Sequence, residues 1–235
     1  MSEVRLILGD CRAVTPDVPV AAVVSDPPYG MAWDTDSTRF SGGQAKNNRY
    51  EGQGRADWGD VVGDSEPFDP SPWLAFPACI LWGANHYAAR LPVGTTLVWI
   101  KKNDRQFQTF LSDAEIGWMK GGCGVYCFRK LFPPPSRIHE GNGRTLHPTQ
   151  KPVALMLWCL RLLDLPAGSW VYDPYMGSGT TGVACVQMDL NFLGVEIHEP
   201  YFAIAQRRIA AERRQGNLFS EESKRRPITP APAGL

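Results

Sequence analysis

The chain has 235 residues, and its 24 basic and 24 acidic side chains give a formal net charge of zero. That length suffices for one well-buried α/β domain and falls short of two full ones. The neutral total by itself points to no polyanionic partner, so any such preference must come from local clusters.

No apolar run approaches the roughly 20 residues of a membrane span. The N-terminus, with Glu3, Arg5 and Asp10, lacks the apolar core of a signal peptide. Among the six cysteines, Cys123 and Cys127 are four apart but have no matching His or Cys pair. Reduced thiols in a soluble, cytoplasmic protein without a metal site are therefore expected.

Val4 to Leu8 reads as a short strand running into Gly9-Asp10-Cys11. An acid just past a strand end lies where an open α/β sheet receives its ligand, although alone this signal is weak and a helix or turn cap is the stronger reading of Asp10. The apolar run Val20 to Val24 predicts a buried strand closed by Ser25-Asp26-Pro27-Pro28-Tyr29-Gly30. Two consecutive prolines fix two φ angles and supply no backbone donors, leaving their carbonyls free to accept. A carboxylate, rigid carbonyls and an aromatic face within four residues suit a flat group carrying an amino donor.

From Met31 to about Asp69 the periodicity lapses, and Trp33, Phe40, Tyr50 and Trp58 alternate with Arg39, Lys46, Arg49 and Arg55. A segment of that length is usually a functional loop, and stacking faces with cations suit unpaired bases and phosphates. The 31–69 segment is read as a substrate lid. The acidic stretch at its end, Asp57 to Asp69, reads as a solvated face.

A short helix near Pro72–Pro77 leads to a strand over Cys79–Trp82, a short helix ending near Leu91, and a strand over Thr95–Ile100 that empties into Lys101-Lys102. His86 has no acidic or nucleophilic partner in its surroundings along the chain and reads as a packed histidine. Ala114–Trp118 and Gly124–Phe128 suggest two further strands. After a second irregular segment, His147-Pro148-Thr149-Gln150-Lys151-Pro152 precedes an apolar helical pattern from Val153 to Leu163. Pro152 suits a first helical turn, placing Thr149, Gln150 and Lys151 where free amides and an ammonium favour an anion.

A strand over Ser169–Tyr172 then meets Asp173-Pro174-Tyr175-Met176-Gly177-Ser178-Gly179-Thr180-Thr181-Gly182 and a helix to about Met188; a strand over Phe192–Val195 ends at Glu196. A helix over roughly Glu199–Arg214 follows, and residues 215–235 read as a disordered tail. Gly177, Gly179 and Gly182 match the dinucleotide fingerprint G-x-G-x-x-G, and Glu196 falls about 20 residues on, as a ribose-binding acid should. Asp173 argues against NAD or a flavin dinucleotide, because a carboxylate there repels a pyrophosphate. It tolerates a cofactor bearing an ammonium and a sulfonium, and S-adenosylmethionine meets that description.

With Asp26-Pro27-Pro28-Tyr29, His147 to Pro152 and Asp173 to Thr181 in this order, the chain resembles the DNA amino-methyltransferases. More narrowly, it is similar to their permuted group, in which the catalytic turn precedes the cofactor loop. The likeness covers about residues 3–30, 78–120 and 147–212. It implies a doubly wound, mostly parallel α/β sheet, the Rossmann-like methyltransferase fold, forming a single catalytic domain over residues 1–214. It also implies a cofactor site in which Asp10 and Cys11 face the adenine and Glu196 takes the ribose. Asp26 and Asp173, Pro174, Tyr175, Gly177, Ser178, Gly179, Thr180 and Thr181 wrap the methionine side, and Thr149, Gln150 and Lys151 hold its carboxylate.

Tyr175 stands where the family more often has Phe, and the recognition segment, about 121–146, is short. DNA contacts are expected from Trp33, Arg39, Lys46, Arg49, Lys101 and Lys102, with a homodimer or a restriction partner left open. The implied reaction methylates adenine N6 on a flipped-out base, with Asp26, Pro27, Pro28 and Tyr29 as the catalytic turn. Cytosine N4, a non-catalytic DNA-binding subunit and a dinucleotide oxidoreductase are the alternatives.

Overall fold

The structure, a computed structural model, describes residues 2–32, 62–109, 112–132 and 150–225, with side chains through 215. Trp33, Arg39, Lys46, Arg49 and Thr149, most of the 31–69 segment and most of the 121–146 segment lie outside the described residues.

Seven strands and four helices follow in the order β1 (Val4–Leu8), β2 (Val20–Ser25), α1 (Ser71–Leu74), β3 (Ala78–Trp82), β4 (Gly94–Ile100), β5 (Ala114–Arg129), α2 (Val153–Leu163), β6 (Trp170–Asp173), α3 (Thr180–Gln187), β7 (Asn191–Glu196) and α4 (Glu199–Arg225). They form one sheet in the order β1-β7-β6-β2-β3-β5-β4. Strands β1, β7, β6, β2 and β3 pair in parallel, and β3 pairs antiparallel with β5. This is the expected doubly wound, mostly parallel α/β sheet.

The two strands expected over 114–128 are one strand bent at Gly121 and Gly122, whose φ values are +84° and +67°. Its first arm runs antiparallel to β4, from Thr95↔Met119 to Ile100↔Ala114; the second returns parallel to it, from Thr96↔Val125 to Ile100↔Arg129. β4 is therefore flanked on both sides by β5. The turn passes over Thr95, whose hydroxyl donates to the Gly121 carbonyl at 2.9 Å. Because the first arm is antiparallel, its beginning, Ala114-Glu115, comes to the edge where the parallel strands end.

A parallel sheet is buried on both faces, so its strands read as apolar runs rather than as an alternation. One face puts Val24, Ile80, Trp82, Leu97 and Val171 against α2, α3 and α4. The other puts Val23, Cys79, Leu81, Tyr172 and Leu193 against Phe68, Trp73 and Tyr87. The C-terminal helix exceeds its expected end by eleven residues, reaching Arg225 rather than Arg214. It runs through Gly216, since a single helical glycine costs only about 1 kcal/mol.

Helix α3 approaches α4 and β7 closely at Gly182. A β-carbon there would lie 2.5 Å from Ile209 Cδ1 and 2.7 Å from Phe192 Cε1. Gly182→Ala is expected to destabilise the fold by about 1–3 kcal/mol through overpacking. An unchanged urea midpoint would show that the contact relaxes freely.

Candidate active site

The parallel strands deliver their chemistry to one edge. Beyond β2 comes the Asp26 turn, beyond β6 the Asp173 glycine loop, and at the end of β7 Glu196. β2 and β6 are neighbours, with Val23 opposite Tyr172. The last residue of β2, Ser25, donates its hydroxyl to Asp173 Oδ1 at 2.6 Å. The two acidic turns, 148 positions apart along the chain, are thus in direct contact.

Asp26 is 19% exposed in its side chain, and both its oxygens are engaged. Oδ1 accepts the Tyr29 hydroxyl at 2.6 Å, and Oδ2 accepts the Lys151 ammonium at 2.5 Å. Burial raises the Asp26 carboxyl above its ordinary range; Lys151 pulls it down, while Glu115 adds to the rise. Lys151, 6% exposed, also meets Glu115 Oε2 at 2.9 Å, and Glu115 Oε1 meets Lys101 at 2.8 Å. Burial lowers the Lys151 pKa, but Asp26 and Glu115 outweigh it and raise it overall. Burial likewise pushes Glu115 up, and the two lysines overcome that to bring it to about 2.

Tyr29 stacks on His86 with centroids 4.8 Å apart and planes at 10°. Its ring occupies the space a β-carbon on Gly83 would fill, and Gly83 has φ +76°. His86, expected to be packed, is exposed, with one face of its ring stacked on Tyr29 of the Asp26 turn. Downstream of the turn, the Gly30 amide donates to Asp64 Oδ1 at 2.8 Å, and the Ala32 amide to the Asp64 carbonyl at 2.8 Å. Asp64, read from the sequence as part of a solvated acidic face, is buried and anchors this turn.

On the glycine-loop side, Asp173 is 3% exposed, and its Oδ1 also accepts the Tyr175 amide at 3.1 Å. Burial raises its carboxyl to about 6, against hydrogen bonds from Ser25, Thr181 and the Tyr175 amide. Gly177 and Gly179 have φ of +51° and +80°, backbone conformations that favour glycine. Glu196 accepts the Gly177 and His198 amides, each at 2.8 Å. Arg208 of α4, which the sequence did not single out, donates to the Ser178 carbonyl at 2.7 Å, to its hydroxyl at 2.9 Å and to Thr180 Oγ1 at 3.1 Å. Those two hydroxyls therefore brace the loop from behind.

Other expected residues are placed differently. Asp10 caps the Cys11–Ala13 turn through the Arg12 amide and pairs with the Arg12 side chain at 2.6 Å. Cys11 is buried and hydrogen-bonds Tyr175, at the rim of the glycine loop. Lys101 and Lys102, expected on DNA, pair with Glu115 at 2.8 Å and Asp113 at 2.9 Å. Gln150 is 4% exposed, with neither amide atom partnered among the described residues. No group of three His, Cys, Asp or Glu among the described residues is placed to hold a metal ion.

A family model described as DNA methylase, for the N6 and N4 methyltransferases, matches residues 95–207. Over that stretch, just under half of its length, the chain is similar to this DNA methylase family. A curated relative, the type II methyltransferase M2.DpnII of Streptococcus pneumoniae, is 39% identical over 119 residues, half of this chain and 42% of that protein. The chain thus spans less than half the length of that methylase. The fold is shared with the PvuII DNA methyltransferase, described as cytosine-N4-specific, at TM-score 0.54 and 13% identity over 94% of this chain and 92% of that one. It is shared too with an M1.HpyAVI–SAM complex, at TM-score 0.51 and 18% identity over 87% and 99% of the two chains. Each methylase likeness at such identity concerns the fold.

Proposed function

We propose that this chain transfers a methyl group from S-adenosylmethionine to the exocyclic amine of a DNA base, with adenine N6 favoured over cytosine N4. The observation that carries this reading is the contact between the two acidic turns, Ser25 Oγ to Asp173 Oδ1 at 2.6 Å. An amine held at Asp26 and a donor held at Asp173 are then near enough to react.

The residues at the glycine loop fit that cofactor. A buried carboxylate at Asp173 suits an ammonium or sulfonium and repels a pyrophosphate. The unpartnered Gln150 amide is a buried group that a polar ligand would satisfy. Asp173 to Thr181, Glu196 and Gln150 would hold it, with Cys11 and Tyr175 at the rim. Bound there, S-adenosylmethionine supplies an electrophilic methyl group on sulfur.

The rest is the work of the chain's own side chains. An amino nitrogen conjugated to a base is a poor nucleophile because its lone pair is delocalised. Asp26 and the Pro27 carbonyl accept its two hydrogens and draw the nitrogen towards tetrahedral geometry, which frees the lone pair. An ionised carboxylate has about four acceptor positions, so Asp26 can take the amine in addition to its two present partners. Acceptance contributes to rate insofar as it strengthens when positive charge develops on nitrogen. Much of the remainder is positioning. The amine cannot be reached inside a duplex, so the base is extruded against Tyr29, at an unstacking cost of a few kcal/mol. Trp33, Arg39, Lys46 and Arg49 are proposed to meet the DNA, and the order of the motifs supports membership of the permuted group.

Incubation with labelled cofactor and DNA, followed by nucleoside analysis, tests the proposal. N6-methyladenine supports it, and N4-methylcytosine moves the target. No transfer, with DNA binding intact, favours the non-catalytic subunit, and preferential binding of NAD favours the oxidoreductase.

The Asp173 carboxyl at about 6 makes a second prediction. A cationic cofactor binds the ionised form, so affinity rises with pH and levels off above that value. Between pH 5 and 7.5 the Kd should fall about tenfold, following the ionised fraction. Asp173→Asn should bind more weakly and without this dependence. Equal affinity at both pH values in the unmodified protein would remove Asp173 from the site.

A further inference from the structure

Lys101, Glu115, Lys151 and Asp26 form a row of alternating charge across the residue just past β4, the antiparallel start of β5, the second residue before α2 and the Asp26 turn. Their contacts are 2.8, 2.9 and 2.5 Å, and their charges sum to zero. Lys151 is the hinge of this row, because one buried ammonium is divided between two carboxylates. If Asp26 were its sole partner, the whole cationic field would fall on the carboxylate that must accept the target amine. Glu115 draws part of it away, and Lys101 limits how strongly Glu115 can pull.

We propose that Glu115 is a positioning residue for Asp26: by sharing Lys151 it sets how strongly the catalytic carboxylate accepts a donor, with Lys101 as the counterweight. This rests on the reading that Asp26 grips the amine. Glu115 reaches the site only because β5 enters the sheet antiparallel, which brings the beginning of that strand to the edge where the others finish.

Other groups also face Asp26. The Tyr29 hydroxyl lies at 2.6 Å, with the His86 ring stacked behind it. Asp173 lies across the β2–β6 pair and feels the Asp26 charge. The Tyr87 hydroxyl feels it too, although it is committed to the Trp82 carbonyl. Tyr29 also accepts from Lys151 at 3.3 Å and feels the Glu115 charge, so it belongs to the surroundings of the row and is left unchanged when Glu115 and Lys101 are substituted.

Glu115 and Lys101 act with opposite sign. Glu115→Gln removes a negative charge and hands Lys151 to Asp26, so the Asp26 carboxyl should titrate lower. Lys101→Met strengthens the pull of Glu115 on Lys151, so Asp26 should titrate higher. Each shift is expected to be about half a pH unit or more, roughly threefold in proton affinity.

Carbon-13 carboxyl NMR of the aspartate-labelled full chain, without cofactor or DNA, reads the titration directly. Methyl transfer at saturating DNA should show its acid limb moving the same way in each variant. For Glu115→Gln, kcat should fall about tenfold while cofactor Kd stays within twofold. Loss of packing alone would move both midpoints alike or neither, and that result overturns the proposal. If Glu115→Gln does not fold, the upward shift in Lys101→Met decides the matter. If the unmodified protein transfers no methyl group, the functional reading fails while the carboxyl titration still tests the row.

Discussion

Asp26→Ala is expected to abolish methyl transfer, by at least about three orders of magnitude, the upper range for losing one group that stabilises developing charge. The reason for so large an effect is that no other carboxylate among the described residues can take its place. Glu115 is held on the far side of Lys151, and Asp173 is tied to Ser25, Thr181 and the Tyr175 amide. The variant should still fold, because Lys151 keeps Glu115 as its counter-ion and no bare cation is left buried. S-adenosylmethionine should bind within a few fold of normal, since the Asp173 loop is untouched. Single-turnover transfer of labelled methyl, alongside equilibrium titration of the cofactor, separates the two quantities. Near-normal turnover in this variant would sink the mechanism, whereas a parallel collapse of cofactor affinity would mean that Asp26 serves the cofactor rather than the base.

Lys151→Met is expected to have the largest effect on stability, about 3–5 kcal/mol at neutral pH, the usual consequence of removing one partner from a buried ion pair. Two carboxylates then face each other across an apolar side chain, with Lys101 able to serve Glu115 alone. The pH dependence identifies the cause. In the unmodified protein the Glu115 pKa is about 2, well below its ordinary value of 4.5. Its contribution to stability is therefore complete above 4.5 and fades as pH falls towards 2. The folded pKa of Asp26 already lies above the unfolded one, and without the ammonium nothing opposes burial, so it rises further. That group then favours the folded state only when protonated, and its cost appears as pH rises. The stability gap between the two proteins should accordingly be widest near pH 7 and close as pH falls towards 4, read from urea midpoints at several pH values. A gap independent of pH would mean that the loss is one of shape rather than charge.

Much of the site was legible along the chain because its local signals are short. An apolar run followed by an acid, prolines or glycines marks the end of a buried parallel strand, and that pattern placed Asp26, Asp173 and Glu196 at strand termini. The choice of S-adenosylmethionine over a dinucleotide turned on one charge beside the glycine loop, also a local feature. What each side chain meets was not legible in this way. Lys101 and Lys102 look like free cations beyond a strand, but each finds a carboxylate just across its own loop. Asp64 looks solvated within an acidic stretch, but it receives the amides at the exit of the catalytic turn. Gly216 looks like a terminator, but α4 runs through it.

By itself, the order of residues determined the strands, the punctuation of the glycine loop and the chemistry available at each turn, since those are set by neighbours within about ten positions. Only the tertiary structure decided which charges share a proton-binding environment. Glu115 meets Lys151 through the reversal of β5, Arg208 braces the glycine loop from a helix one sheet layer away, and Tyr29 seats against Gly83 and His86. The physical reason is distance: an ion pair or ring stack needs contact within a few ångströms, and for these residues only the closing of the sheet supplies it.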